Sequence, residues 1–178
     1  TAFKHDSNDK CYQYMEPTVD IDIRLAKIRE LPELCEFNRW EMLKYSGQPV
    51  DVDIHSQFIP YPGINVMNLV LGVTYTTTHN YLRRNLLRYD IELSFEISDM
   101  NSVINMTDQS VYVPPTLTSI MLSVGIGSLR GMLAMHTRHT FLSRYPLPIF
   151  NLGEMVSRLA NDDSSVSPEN PLFSFAYE

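Results

Sequence analysis

The stretch PTLTSIMLSVGIGSLRGMLAMHTRHTFLSRYPLPIFNL, residues 115–152, decides the fold. It reads as one long apolar helix opened by proline, a break, and the start of a second, short helix. On a 100° helical wheel Leu122, Ile126, Leu129 and Leu133 fall in one narrow sector, while Leu117, Ile120, Met121, Val124, Met132 and Met135 spread over the opposite side. A surface helix of a single domain needs only one apolar stripe, so the second implies burial against something besides the chain's own sheet. Between the two lie the small residues Ser123, Gly127, Gly131 and Ala134. Glycine costs about 1 kcal/mol against alanine inside a helix. Two explanations fit: close approach of a second helix across a subunit boundary, through Ser123, Gly127 and Gly131, or glycine tolerated within a buried helix.

Everything before this stretch reads as strands for it to cover. From Val19 the alternation is sharp, with Val19, Ile21, Ile23 and Leu25 on one side and Asp20, Asp22 and Arg24 on the other. Pro32 interrupts, and the run resumes over Leu34 to Phe37 after a bulge. Asn38 to Gln48, with the only tryptophan, Trp40, is a connection. Val50 to Phe58 alternates again, residues 64–78 form the next strand, and His79 to Tyr81 is a short hairpin connection. The clearest strand points Leu87, Tyr89, Ile91, Leu93, Phe95 and Ile97 inward and Arg88, Asp90, Glu92, Ser94 and Glu96 outward. A polar loop over residues 99–114 leads to the helix. The expected fold class is therefore α+β: a four-stranded antiparallel sheet with one long and one short C-terminal helix on one face. Residues 1–17 read as a flexible extension, 18–160 as the domain, and 161–178 as an acidic, proline-broken, disordered tail.

Composition bounds the function. The 178 residues suffice for one domain with a real core, and 44% hydrophobic with 20% charged residues is ordinary for a globular chain. A net charge of -7 argues against nucleic acid, which needs clustered Lys and Arg. Cys11 and Cys35 are too few for a disulfide scaffold, which points to a reduced, cytoplasmic protein. The apolar window Leu117 to Met135 carries Arg130, serines and glycines, against membrane insertion. Asp51, Asp53 and His55 alternate on one strand as any polar face would, so no metal site is expected. No nucleophile elbow appears, and GIGSLRG lacks the lysine of a phosphate loop, so neither an enzyme nor a cofactor is expected. The outward face collects Asp20, Asp22, Asp51, Asp53, Asp90, Glu92 and Glu96, which is either a solvated surface or a docking surface for a basic partner.

Several segments, in order, resemble the SecB family of bacterial export chaperones and their SecB-like relatives. They are the opening strand, the tryptophan-containing crossover leading to QPVDVDI (48–54), and the pair of long strands joined by a hairpin. The proline-led helix follows, its end reading HTF (139–141), and then LPIFNL (147–152) opening a second helix. The likeness covers roughly Ile21 to Leu159. It implies a homotetramer, a dimer of dimers, that holds unfolded polypeptides or preproteins in apolar grooves without a cofactor. In the export members it also implies transfer to the SecA-type translocation motor. Carried over, Trp40, Phe141, Leu152 and Met155 would line the client groove, and Asp90 with Glu92 would contact the motor. His139 stands where the family has glycine, the crossover before Gln48 is long, and the tail from Asn161 shows no likeness to the motor-binding tail. Holding of polypeptides is thus better supported than coupling to secretion. An alternative within the same fold is an adaptor dedicated to one partner, antitoxin-associated or phage-encoded.

Overall fold

A computed structural model describes residues 21–107, 111–161 and 171–178. The expected N-terminal extension, Val19 and residues 162–170 of the tail lie outside these. The chain is α+β. Strands β1 (Ile23–Glu30), β2 (Glu36–Phe37), β3 (Val50–Tyr61), β4 (Val66–His79), β5 (Leu82–Ile97) and β8 (Phe173–Tyr177) form one antiparallel sheet in the order β1-β5-β4-β3-β8, with β2 also on β5. A separate two-stranded ribbon joins β6 (Asn105–Met106) and β7 (Val111–Tyr112). The helices are α1 (Arg39–Lys44), α2 (Met100–Val103), α3 (Pro115–Thr137) and α4 (Leu152–Asn161).

The sheet has six strands, where alternation predicts four. β1 and β2 are one edge strand interrupted by a 3-10 turn at Pro32–Leu34: proline cannot donate to the ladder, so pairing with β5 breaks there and resumes at Glu36 opposite Arg88. β8 is the second addition. It lies inside the segment expected to be a disordered tail, and its pairing with Val50 to Ile54 of β3 corrects that expectation for residues 171–178. The connection before β3 contains α1, and the loop after β5 contains α2 and the small ribbon.

Asn80 and Tyr81 turn β4 into β5, with φ of 50° and 63°. Positive φ at both centres is the turn whose twist suits a two-residue hairpin. Inward residues Leu69, Leu71, Val73, Tyr75, Leu87, Tyr89, Ile91, Leu93 and Phe95 are buried beneath α3. By length and composition alone α3 could cross a membrane, and here it packs on the sheet. Its close approach comes at Gly125, where a Cβ would stand 3.0 Å from Leu69 Cδ2 and 3.3 Å from Leu71 Cδ2.

The two apolar sectors of α3 are not opposite faces in the folded chain. Leu117 and Met121 are buried together with Leu122, Ile126, Leu129 and Leu133, because a helix lying flat on a sheet covers a broad arc. Ile120 and Met135 remain exposed, with Val124 and Met132 partly so.

The outward face is not an open acidic surface. Arg24 pairs with Glu96, Arg29 with Glu92 at 2.7 Å, Arg83 with Asp53, and Arg88 with Asp90 at 3.2 Å. Register opposes Arg24 to Glu96 and Arg29 to Glu92 across β1 and β5, Arg88 and Asp90 share one face of β5, and Arg83 reaches across β4 to Asp53.

Candidate functional site

Trp40 sits on α1. Asn38 ties this short helix to β5 by donating its backbone N–H to Leu86 O at 3.1 Å and its Nδ2 to Asn85 O at 2.9 Å. Met42 and Tyr45 anchor the buried side of the segment, which leaves Trp40 84% and Leu43 74% exposed. Residues three apart share a helix side, so one pair goes in and the other goes out.

Next to α1 the chain leaves α3 through His139-Thr140-Phe141. Thr140 Oγ1 accepts the Leu142 N–H at 3.2 Å and starts a 3-10 turn over Phe141–Arg144, which packs beside α1. Asn151 opens α4 in the same way, its Oδ1 accepting from the N–H of Gly153 at 3.1 Å and of Glu154 at 3.4 Å. From this break aromatic rings run toward β8. Phe141 meets Tyr145 edge-on at 6.0 Å, Tyr145 meets Tyr177 at 5.3 Å, and Tyr177 meets Phe175 at 4.8 Å. Phe150 meets Phe173 at 4.7 Å, and the Arg158 guanidinium lies 5.7 Å from the Phe173 ring. Tyr75 holds the row from below, its hydroxyl donating to Tyr145 O at 2.8 Å; burial raises that phenol above its ordinary pKa. Ile149, next to Phe150 in sequence, is 94% exposed.

Of the four residues expected to line a groove, the fold brings Phe141 and Leu152 to this margin, both partly buried, and presents Trp40 on the neighbouring helix. Met155 is a correction. It is fully buried on the core side of α4, because a helix resting on α3 must turn one stripe inward.

Asp90 and Glu92 are corrections as well. Gly72 lies directly between His55 and Asp90 in a row across three strands, and the missing side chain lets the imidazole reach over β4 to the carboxylate. His55 Nε2 lies 2.8 Å from Asp90 Oδ2, and Arg88 Nη2 donates to the same oxygen at 3.2 Å. The Asp90 side chain is 1% exposed. Burial by itself would raise its pKa, but the bonds from His55 and Arg88 outweigh this and hold the carboxyl below its ordinary value. Glu92 is mostly covered by its pair with Arg29. Both carboxylates are already paired within the chain, Asp90 by Arg88 two residues along its own strand and by His55 across β4, and Glu92 by Arg29 on the neighbouring strand.

Ser123, Gly127 and Gly131 lie on the outer side of α3, exposed, and a Cβ added at either glycine meets nothing within 4 Å. One chain alone leaves this stripe uncovered. On the opposite, inward side of the sheet, Glu30 accepts from the Tyr89 hydroxyl and lies against His136 Nε2, each at 2.6 Å, fastening β1 to the end of α3. Those two bonds, Tyr89 first, lower the Glu30 pKa. Among the described residues no group of three His, Cys, Asp or Glu side chains is placed to hold a metal ion, and of the strand-face set Asp53 is held by Arg83 and His55 by Asp90.

Leu43, Tyr145, Phe150, Phe173 and Tyr177 escaped the sequence reading. A signal existed for two of them: Phe173, Phe175 and Tyr177 stand at strand spacing.

No protein-family model matches the chain, and no curated protein matches it. Among solved structures it is similar to the Mycobacterium tuberculosis SecB-like chaperone Rv1957, in complex with a ChAD peptide from the Rv1956 HigA1 antitoxin. The identity is 12%, over 73% of this chain and 88% of that one, with a TM-score of 0.36. Superposition at that level fixes neither the fold family nor the function of this chain.

Proposed function

We propose that this chain is a SecB-like holdase: a protein that binds unfolded polypeptide through apolar side chains at the margin formed by α1, the 3-10 turn and α4, with no catalytic step and no cofactor. The observation that carries the reading is the exposure of Trp40 and Leu43 on a helix whose other side is firmly anchored. Burying apolar surface is worth about 25 cal/mol per Å², and a tryptophan offers roughly 150–250 Å², so each such anchor contributes several kcal/mol to holding a client. The ordered segments from the opening strand to LPIFNL support the same reading by their resemblance to the SecB family. Assembly into a homo-oligomer, a tetramer in that family, belongs with it, and the uncovered stripe of α3 is the surface we assign to subunit contact.

The test is suppression of aggregation of several unrelated, chemically unfolded proteins. The chain should protect them broadly, and Trp40→Ala with Leu43→Ala should lose that protection while keeping its circular dichroism and melting temperature. Equal protection by the double variant overturns the reading, and protection of a single client only replaces it with the dedicated adaptor.

A further inference from the structure

The aromatic margin already holds an extended polypeptide segment, residues 173–177 of the chain itself. β8 lies antiparallel on β3 with Tyr177 opposite Val50, Phe175 opposite Val52 and Phe173 opposite Ile54. Side chains alternate along a strand, so this register puts all three rings on the helix-bearing face and Ser174 and Ala176 on the other. The seat comes from the segment between the 3-10 turn and α4. Phe150 receives the edge of Phe173, Tyr145 receives Tyr177, and the Tyr177 hydroxyl donates to Pro146 O. Arg158 covers Phe173 and donates from Nη1 to Leu172 O at 3.4 Å.

What β8 contributes is peripheral to the core. Leu172 beside it is buried at 6% exposure, whereas Phe173 and Tyr177 are only half-buried and Ser174, Phe175 and Ala176 are exposed. Among the described residues its only strand partner is β3, and it is itself an edge. The sequence that precedes it, DDSSVSPEN (162–170), is almost all polar. Removing β8 would leave the backbone groups of Val50 to Ile54 with an open edge, which is the surface that strand addition uses.

We propose that the edge of β3 and the Tyr145, Phe150 and Arg158 seat form an acceptor site for an extended polypeptide segment with aromatic side chains at alternate positions. β8 is its resident occupant, an internal competitor that an incoming segment displaces. The proposal rests on the polypeptide-binding reading and adds to it a location, a bound conformation and a built-in threshold. A tethered strand competes at an effective concentration of about millimolar, so only segments that bind better than β8 itself, or that also engage Trp40 and Leu43, gain the site. The apparent affinity for a free segment falls in proportion to the fraction of chains whose site β8 has left open.

The probe is the fluorescein-labelled peptide PLFSFAYE, the sequence of residues 171–178, followed by anisotropy against the full chain. Phe173→Ser with Tyr177→Ser should loosen β8 and bind the peptide about ten-fold or more tightly than the unaltered chain does, as expected when a competing state is removed. A control peptide with serine at all three aromatic positions should bind neither. Equal affinity for the two proteins, or equal binding of the control peptide, overturns the proposal. Should the double variant not fold, hydrogen exchange on the unaltered chain decides: saturating peptide should speed exchange of amides 173–177 and leave β4 and β5 untouched. A bound peptide with β8 still protected overturns it. Aggregation suppression separates this from the broader reading. Exchange of the peptide without protection of clients would retain the strand site and remove the holdase, and protection without exchange would retain the holdase and remove the strand site.

Discussion

The centre of the sheet and its β8 margin are built from the same residue types and put them to opposite uses. Beneath Gly125 of α3, Leu69, Leu71, Leu93 and Phe95 are sealed from water on one side, and on the other every charge of the Asp90 cluster meets a partner. At the margin Trp40, Leu43 and Ile149 stand in solvent, and Phe173 and Tyr177 are half covered. Stability is concentrated where α3 presses on β4 and β5, which frees the margin to keep apolar surface available. Binding elements are commonly drawn from the low-stability end of a fold, and the elements assigned to binding under the proposed reading are an edge strand and a helix of six residues.

The comparison breaks if the margin proves to be as structural as the centre. Leu93→Ala should lower unfolding free energy by about 2–5 kcal/mol, the usual cost of a buried leucine truncated to alanine. Trp40→Ala should change it by no more than about 0.5 kcal/mol, as for an exposed side chain. Urea unfolding of both measures the contrast, and similar losses would make Trp40 a packing residue.

On the outward face of the centre, Gly72→Ala should cost about 1–3 kcal/mol, as overpacking does. The added Cβ overlaps the His55 ring and lies 2.7 Å from the Asp90 carboxyl carbon. Gly72→Ala combined with His55→Ala should recover part of that loss, and a double-mutant cycle by thermal unfolding reads the coupling. Additive losses would show that the row His55–Gly72–Asp90 is not one unit.

Acid titration sharpens the same point. The Asp90 pKa is lower in the folded chain than in the unfolded one, so the folded state favours the carboxylate. Its contribution is therefore fully present above about pH 4, the unfolded value, and is lost as pH falls through the folded one. Asp90→Asn should lower stability at neutral pH and flatten the acid limb of the stability curve between those two values. An unchanged acid limb would mean that the carboxylate is not held by His55 and Arg88.

The smallest effect concerns α3. Gly127→Leu gains somewhat under about 1 kcal/mol of helix propensity, and one chain offers no steric obstacle. If a second copy packs on the Ser123, Gly127 and Gly131 stripe, light scattering after gel filtration should show the assembly splitting. A raised melting temperature with the assembly intact would move the subunit contact to the Ile120 and Met135 side.

Wherever one residue's environment depends on its own strand or helix, the sequence was readable. Period-two alternation located β3, β4, β5 and much of β1, and Pro115 marked the start of α3. The helix break at His139 to Phe141 and the second helix after LPIFNL were legible too. Of the site, Trp40 and Phe141 were legible as aromatics at a crossover and a break, but not that one would be exposed and the other join a row of rings.

What tertiary structure alone decided were relations between segments distant in sequence. Asp90 is buried because Gly72 happens to fall between it and His55 when three strands are in register, and a strand pattern read alone shows only that it points outward. Met155 turns inward because α4 lies on α3. β8 is a strand because β3 offers it an open edge and Tyr145 and Phe150 a seat; the alternate spacing of Phe173, Phe175 and Tyr177 permits a strand without naming the edge it joins. The chain's own periodicity determines which way a side chain points from its backbone. Only the register between strands and the packing of helices determine what it meets there, and burial free energy depends on the second.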